Sequence, residues 1–383
     1  MARLNIRSRL PDVGTSIFAV MSGMALEEGA INLSQGFPDF EVAPELIGQI
    51  SKYLREGHNQ YAPMPGVPAL RRSISGVIQS TYGISVNPDD EITVTAGGTE
   101  AIFASIAGLI GRGDEVILFD PSYDCYGPAV RLNGGVPVHV SLRAPDFSIP
   151  WHDVRSRITP ATRMIMVNTP HNPCGAVLGE EDLHQLASLA EEHNLIVLSD
   201  EVYERIIFDG YTHRSVVAHP GLRERSIAVF SFGKTFHATG WKVGYTVAPA
   251  ELTREIRKAH QFITFSVNTP VQMALADHLG DASHYTGVSS FYQKKRDYFV
   301  NGLKGSSLRP LPCHGSYFQL LSYEGLSKLP EREMAEMLTR KHKVASIPLS
   351  VFYKDGTNQF LLRFCFAKRE ETLDKALSIL CRI

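Results

Sequence analysis

Between Glu91 and Val247 the chain alternates short apolar runs with amphipathic stretches. Ile92-Thr93-Val94-Thr95, Val116 to Phe119, Val136 to Val140, Met164 to Val167, Leu195 to Leu198, Ile227 to Phe230 and Val243 to Val247 read as strands. Most are apolar at nearly every position, as in strands covered on both faces. The stretch from about Glu180 to His193 puts Leu183, Leu186, Ala187 and Ala190 on one helical face. A second helix opens at Thr99-Glu100, just after Gly97-Gly98, with Ile102, Ile106, Leu109 and Ile110 as its apolar face. This alternation predicts an α/β fold: a mostly parallel sheet of the seven-stranded type, sandwiched by helices.

The pattern changes after Glu251. It is helical through about Gly302, then shows strands at Ser316 to Leu321, Val344 to Leu349 and Phe360 to Phe366. Helices are predicted near Glu331 to Lys343 and from about Arg369 to Cys381. These make a smaller α+β unit. Up to about Glu45 no long period appears, so this arm is expected to be irregular and to complete that unit. The predicted organisation is a large domain over 46–280 and a small domain from 1–45 and 281–383, in keeping with a length of 383 residues.

Ligands of such sheets collect beyond the carboxyl ends of the strands. There the chain carries Asp120-Pro121-Ser122-Tyr123, then Asn168 to Gly175, then Ser199-Asp200-Glu201-Val202-Tyr203. After the strand Ile227–Phe230 comes Ser231-Phe232-Gly233-Lys234-Thr235, running on to Gly240-Trp241-Lys242-Val243-Gly244. Gly97-Gly98 before a helix start is an anion cradle, because free N–H groups and the helix dipole point at it. One sheet edge thus offers an anion site, an aromatic, an amide, a carboxylate, a phenol and a lysine. Taken singly, each residue has an ordinary alternative: a solvated lysine, an Asn-Pro turn, a packed tyrosine. Together, and with no metal motif, they suit a lysine that condenses with the aldehyde of pyridoxal 5′-phosphate. Gly233-Lys234-Thr235 is not a P-loop, because Ala228 stands where that motif needs glycine. Ser231-x-x-Lys234 lacks the companion motifs of a serine acyl-enzyme.

Composition narrows the class. A formal charge of −2 argues against a nucleic-acid surface or polybasic anchor, and no apolar run is long enough to span a membrane. The basic stretch Met1 to Arg9 has no apolar segment after it, so no secretory signal is expected. Five widely spaced cysteines suggest neither a disulfide framework nor a zinc site, and point to a cytoplasmic location. The sequon Asn32-Leu33-Ser34 is then a chance match.

The chain resembles, end to end, the fold-type I pyridoxal-phosphate aminotransferases of class I/II, within them the methionine and kynurenine (glutamine-type) branch. The marks are Asn172-Pro173-x-Gly175, Ser199-Asp200-Glu201-Val202-Tyr203, Ser231-Phe232-Gly233-Lys234-Thr235 with Gly240-Trp241-Lys242-Val243-Gly244, and Leu362-Arg363-Phe364. The resemblance implies that Lys234 bonds the cofactor and shuttles a proton, that Asp200 pairs with the ring nitrogen, and that Asn172 and Tyr203 hold the ring oxygen. It implies that Tyr123 stacks on the ring, and that Gly98, Thr99, Ser231 and Lys242 bind the phosphate. Tyr61 would reach the phosphate of a neighbouring subunit in a homodimer. Arg363 would clamp the substrate carboxylate, assisted by Asn172 and the Gly36 backbone. Two positions depart from the family: Cys174 where threonine is frequent, and Gly98 where alanine is. Cys174 near the site raises an expectation of thiol sensitivity.

The implied reaction is ping-pong transamination between an amino acid and a 2-oxo acid. Phe18, Tyr61, Tyr123 and Phe265 lie near motif segments, and no second arginine marks a place for a side-chain carboxylate. Neutral apolar or aromatic donors such as methionine, phenylalanine or kynurenine are therefore expected, with Phe18 in the substrate pocket. The alternatives are β-elimination from cysteine conjugates on the same cofactor, a non-catalytic cofactor-binding regulator, and a nucleotide-dependent α/β enzyme. The last has no Gly-x-Gly-x-x-Gly or complete P-loop behind it.

Overall fold

The computed structural model describes residues 6–383; residues 1–5, the start of the basic Met1–Arg9 stretch, lie outside it. A seven-stranded sheet runs in the spatial order Ile92–Thr95, Gly244–Val247, Ser226–Ser231, Ile196–Asp200, Thr162–Asn168, Glu115–Asp120 and Val136–Ser141. Gly244–Val247 is antiparallel to both neighbours, and the remaining pairings are parallel. Each strand expected from an apolar run is present, shifted at its ends by a residue or two. Helices Gly97–Leu109 and Glu180–Glu192 also fall where the periodicity puts them. The four parallel inner strands, Ser226–Ser231, Ile196–Asp200, Thr162–Asn168 and Glu115–Asp120, are buried almost throughout, which is why their sequence shows no alternation.

A second, antiparallel sheet holds Ile347–Pro348, Leu361–Cys365, Phe318–Ser322 and Arg309–Pro310. The arm is sewn to it. Ile31–Asn32 pairs in parallel with Val344–Ala345, and Cys365 N–H donates to the Leu33 carbonyl.

Three local expectations need correction. The arm contains a helix, Ile17–Glu27, capped by Ser16, whose hydroxyl accepts from the Ala19 N–H. It escapes a periodicity search because apolar residues surround its axis: Met21 and Met24 are buried while Leu26 is 85% exposed. The Val344–Leu349 run is two short strands flanking Ser346, followed by a 3-10 turn, Leu349–Phe352. The segment linking Ser226–Ser231 to Gly244–Val247, for which the sequence pattern predicts no helix, is partly helical. It holds a helical turn, Phe232–Thr235, and a 3-10 turn, Thr239–Trp241, with His237 and Lys242 in left-handed conformations.

Gly244 shows how closely these parts approach. It pairs with Thr95 on one side and Ser231 on the other. A Cβ there would stand 2.6 Å from the Phe230 carbonyl oxygen, 3.0 Å from the Gly97 carbonyl carbon and 3.1 Å from the Gly98 nitrogen. All three are backbone atoms, so the strain has no flexible side chain to absorb it. Gly244→Ala is expected to destabilise the protein by about 1–3 kcal/mol, read as a lower midpoint in denaturant unfolding; an unchanged midpoint would show that the Gly97-Gly98 turn yields freely.

Candidate active site

The carboxyl end of the large sheet opens into a cleft of about 270 Å³. Its floor is the start of helix Gly97–Leu109. Gly97 has φ +80°, and Lys242 Nζ lies 3.3 Å from where its Cβ would be. Gly98 has a different reason for being glycine: its Cβ would lie 2.9 Å from Val202 Cγ1. An alanine here would press on the segment that follows Asp200. Thr99, Ser231 and Lys242 also line this end. The result is a set of N–H and O–H donors around a cation at a helix N-terminus, which suits a phosphate dianion.

Asp200 closes its strand and is buried. Its Oδ2 accepts from the Tyr126 hydroxyl at 2.6 Å and its Oδ1 from the Val202 N–H at 3.2 Å. Burial raises its pKa to about 6, against the lowering effect of the Tyr126 hydrogen bond. Behind it, Asn168 donates to the Asp200 carbonyl and accepts from the Asn172 N–H, each at 2.8 Å. These bonds tie two strand ends together and fix the loop that carries Asn172. Tyr123 stands edge-on to Tyr126 at 5.8 Å, and Tyr203 edge-on to Tyr317 at 5.1 Å. Burial pushes both Tyr123 and Tyr203 above the ordinary phenol range, so both remain protonated donors.

Lys234 extends from the turn Phe232–Thr235. Its Nζ donates to the Tyr317 hydroxyl at 2.7 Å and lies over the Tyr203 and Tyr317 rings at 5.4 and 5.2 Å. Burial lowers its pKa to about 8; Cys365 and Asp200 oppose that shift, and the positive charges of Lys242 and Arg363 add to it. An amine so placed is partly neutral near neutral pH and can act as a nucleophile or base.

Arg363, in the middle of strand Leu361–Cys365, is fully buried. Nη1 donates to Asn172 Oδ1 and Nη2 to the Ser34 carbonyl, both at 2.9 Å, while Nε has no partner. Rings of Phe318, Phe18 and Phe352 stand 3.9, 5.2 and 5.4 Å from Cζ. Among the described residues no carboxylate pairs with it. Burial pulls even this guanidinium down to about 10. Gly36 lies alongside, where a Cβ would come 2.7 Å from Phe318 Cζ.

Of the residues singled out from sequence, Phe18, Gly36, Gly98, Thr99, Tyr123, Asn172, Asp200, Tyr203, Ser231, Lys234, Lys242 and Arg363 all line this cleft. Tyr61 does not. It is 82% exposed and packs edge-on to Phe265. Cys174 is also outside the lining; it is buried and its thiol is pushed well above the usual range, which removes the basis for the expected thiol sensitivity. Sequence reasoning passed over Tyr126, Gln35, Val202, Phe318 and Tyr317. Tyr126 could have been found as a second tyrosine three residues beyond Tyr123, at the start of helix Tyr126–Leu132. Tyr317 lies far from every other site segment in sequence and gave no signal.

Comparison with known proteins agrees with this geometry. The family described as "Aminotransferase class I and II" matches residues 28–380. The chain is 50% identical to the methionine aminotransferase of Escherichia coli K12, over 96% of this chain and 95% of that protein. It is 37% identical to a probable N-succinyldiaminopimelate aminotransferase, DapC, of Mycobacterium tuberculosis, covering 97% of this chain and 96% of that one. It is 33% identical to kynurenine–oxoglutarate transaminase 3 of mouse, over 97% of this chain and 88% of that one. The crystal structure of YbdL from Escherichia coli, identified as having a methionine aminotransferase function, superposes with a TM-score of 0.97 at 49% identity, over all of both chains. A nucleophilic lysine, an anion cradle and a counter-ion-free arginine in one cleft, on a fold shared along the whole chain, make this protein a member of the class I and II aminotransferases, fold-type I enzymes that use pyridoxal phosphate.

Proposed function

We propose that this chain transfers the amino group of a neutral apolar or aromatic amino acid, of the methionine, phenylalanine or kynurenine type, to a 2-oxo acid by a ping-pong mechanism. The observation that carries the reading is Arg363: a buried guanidinium with no carboxylate partner, opening on the same cleft as Lys234. A charge desolvated in this way calls for an anion, and a planar α-carboxylate matches its fork. Phe18, Tyr123 and Phe318 supply apolar walls, and among the described lining residues no second arginine is available for a side-chain carboxylate. The names of the Escherichia coli and mouse relatives support the same substrate class.

The residues present fit pyridoxal 5′-phosphate. Gly98, Thr99, Ser231 and Lys242 would hold the phosphate, Asp200 the ring nitrogen, Asn172 and Tyr203 the ring oxygen, and Tyr123 the ring face. When bound, that group supplies an aldehyde that bonds amines and a ring that absorbs negative charge from the substrate α-carbon. Lys234, with a pKa of about 8, can take a proton at that carbon and return it. Asp200 is ionised above about pH 6 and is held by the Tyr126 hydroxyl, so its charge stays directed. Arg363 fixes the substrate through its carboxylate, and Asn172 and the Ser34 carbonyl fix Arg363. Residues 46–280 would form the cofactor-binding unit and 1–45 with 281–383 the smaller one; the pairing of Ile31–Asn32 with Val344–Ala345 supports that division. No described helix is long and apolar enough to cross a membrane, and the five unpaired thiols fit a cytoplasmic location.

Lys234→Ala is expected to lose at least ~10²–10⁴-fold in turnover, and a matrix of amino donors and oxo acids should rank methionine and aromatic donors above aspartate. Wild-type turnover by Lys234→Ala, or aspartate as the best donor, would end this reading. Lys242→Gln should weaken cofactor retention, seen as faster loss of cofactor absorbance on dialysis, with turnover at saturating cofactor changed much less. Tyr61 and Phe265 form an exposed aromatic pair, and Phe262, three residues before Phe265, is 86% exposed; such uncovered aromatics support a homodimer sharing its active sites. Light scattering should give twice the 42.3 kDa chain mass; a monomer would remove the role proposed for Tyr61.

A further inference from the structure

Tyr317 has no place in the reaction derived so far, yet it is the residue that Lys234 touches. It is fully buried, immediately before strand Phe318–Ser322, and its backbone is pinned: its carbonyl accepts from Phe366 N–H at 3.1 Å. Its ring is packed edge-on against Tyr203 at 5.1 Å and Phe318 at 4.9 Å, and tilted against Tyr292 at 5.8 Å. The ring is therefore held on several sides, and its hydroxyl sits at a defined point behind Lys234, which lines the cleft.

Two hydrogen bonds meet at that hydroxyl. Tyr317 donates to the Gly36 carbonyl, and Lys234 Nζ lies 2.7 Å away. A carbonyl oxygen can only accept, so the phenolic proton is committed to Gly36. What remains for Lys234 is a lone pair, and the lysine must be the donor. The Gly36 carbonyl is itself anchored. Two residues back along the segment, the Ser34 carbonyl takes Arg363 Nη2; one residue forward, the Phe37 carbonyl takes Lys368 Nζ at 2.8 Å. Beyond that, the Asp39 carboxylate accepts from Arg369 N–H and from the Thr372 hydroxyl at 2.7 Å. Gly36 must lack a side chain for the segment to lie this close to Phe318.

We infer that Tyr317 is a positioning residue for Lys234: its hydroxyl holds the lysine amine at the cleft whenever that amine is not covalently engaged. The inference rests on the proposed role of Lys234. It adds that the amine and the acid-binding guanidinium are aimed from one backbone segment, since Ser34 receives Arg363 and Gly36 receives the tyrosine that holds Lys234. The point where the substrate carboxylate docks and the point from which the amine reaches the α-carbon are then set by the same three residues.

The test uses apoenzyme and an amine reagent, trinitrobenzenesulfonate, with modification of Lys234 followed by peptide mass spectrometry across pH. In wild type the midpoint is expected near pH 8. Tyr317→Phe keeps the ring and removes the acceptor that favours the charged amine, so the midpoint should fall by about one unit. In the amino-acid half-reaction of the holoenzyme, kcat should drop about 10- to 100-fold while KM moves far less. Tyr292→Phe perturbs the same aromatic cluster without touching Lys234, and should leave the midpoint in place. An unmoved midpoint in Tyr317→Phe, or an equal fall in Tyr292→Phe, overturns the inference. A second measurement needs no Tyr317 variant: the ¹³Cζ resonance of Tyr317 in wild-type apoenzyme should titrate with Lys234 and become flat in Lys234→Met, and a resonance flat in wild type also overturns it. Failure of the aminotransfer reading would appear separately, as turnover by Lys234→Ala.

Discussion

The site depends on keeping a guanidinium charge away from water without a carboxylate beside it. An unpaired buried charge is costly, and it persists only where other polar groups and ring faces replace the lost solvent. At Arg363 those groups are the Asn172 amide, the Ser34 carbonyl and three phenylalanine rings. They come from the loop after Thr162–Asn168, the N-terminal arm, the helix Ile17–Glu27, the strand Phe318–Ser322 and the turn Leu349–Phe352. Both sheets and the arm must therefore be assembled around Arg363 before it can be buried. The cleft is a product of that assembly.

A similar balance applies at the other ionisable groups. Lys234 is lowered and Asp200 raised, each chiefly by burial, so each is brought toward the neutral range from its own side. Neither forms a direct ion pair with the other; Lys234 rests on Tyr317 and Asp200 on Tyr126. Phenol partners hold these groups in place without neutralising them. That leaves the lysine free to change its protonation state, which a tight lysine–carboxylate pair would oppose.

Glycines decide how near the backbone segments can come. Gly244 lets the antiparallel strand lie against the Gly97-Gly98 turn, and Gly98 lets that turn lie against Val202. The helix start, Val202 just beyond Asp200 and the strand before Lys234 are then close enough to bound one small cleft. Gly98, at a position where alanine is frequent in the family, is explained by this contact.

The large sheet was legible because its strands are short, apolar and punctuated by helices with a clear face, and because parallel connections leave their polar residues at one edge. Lys234, Asp200, Asn172, Tyr203 and the Gly98 helix start could be named together for that reason. The helix Ile17–Glu27 was not legible, since its apolar residues face every direction and only the surrounding chain decides which are covered. Tyr317 was not legible either. Local sequence determines that it is a tyrosine beside a strand, while its work depends on Gly36 and Lys234, 281 and 83 residues away. The order of apolar and polar positions thus determined the sheet and which chemical groups stand at its edge. Only tertiary packing decided how buried each group is, and hence its protonation, its partner and its aim.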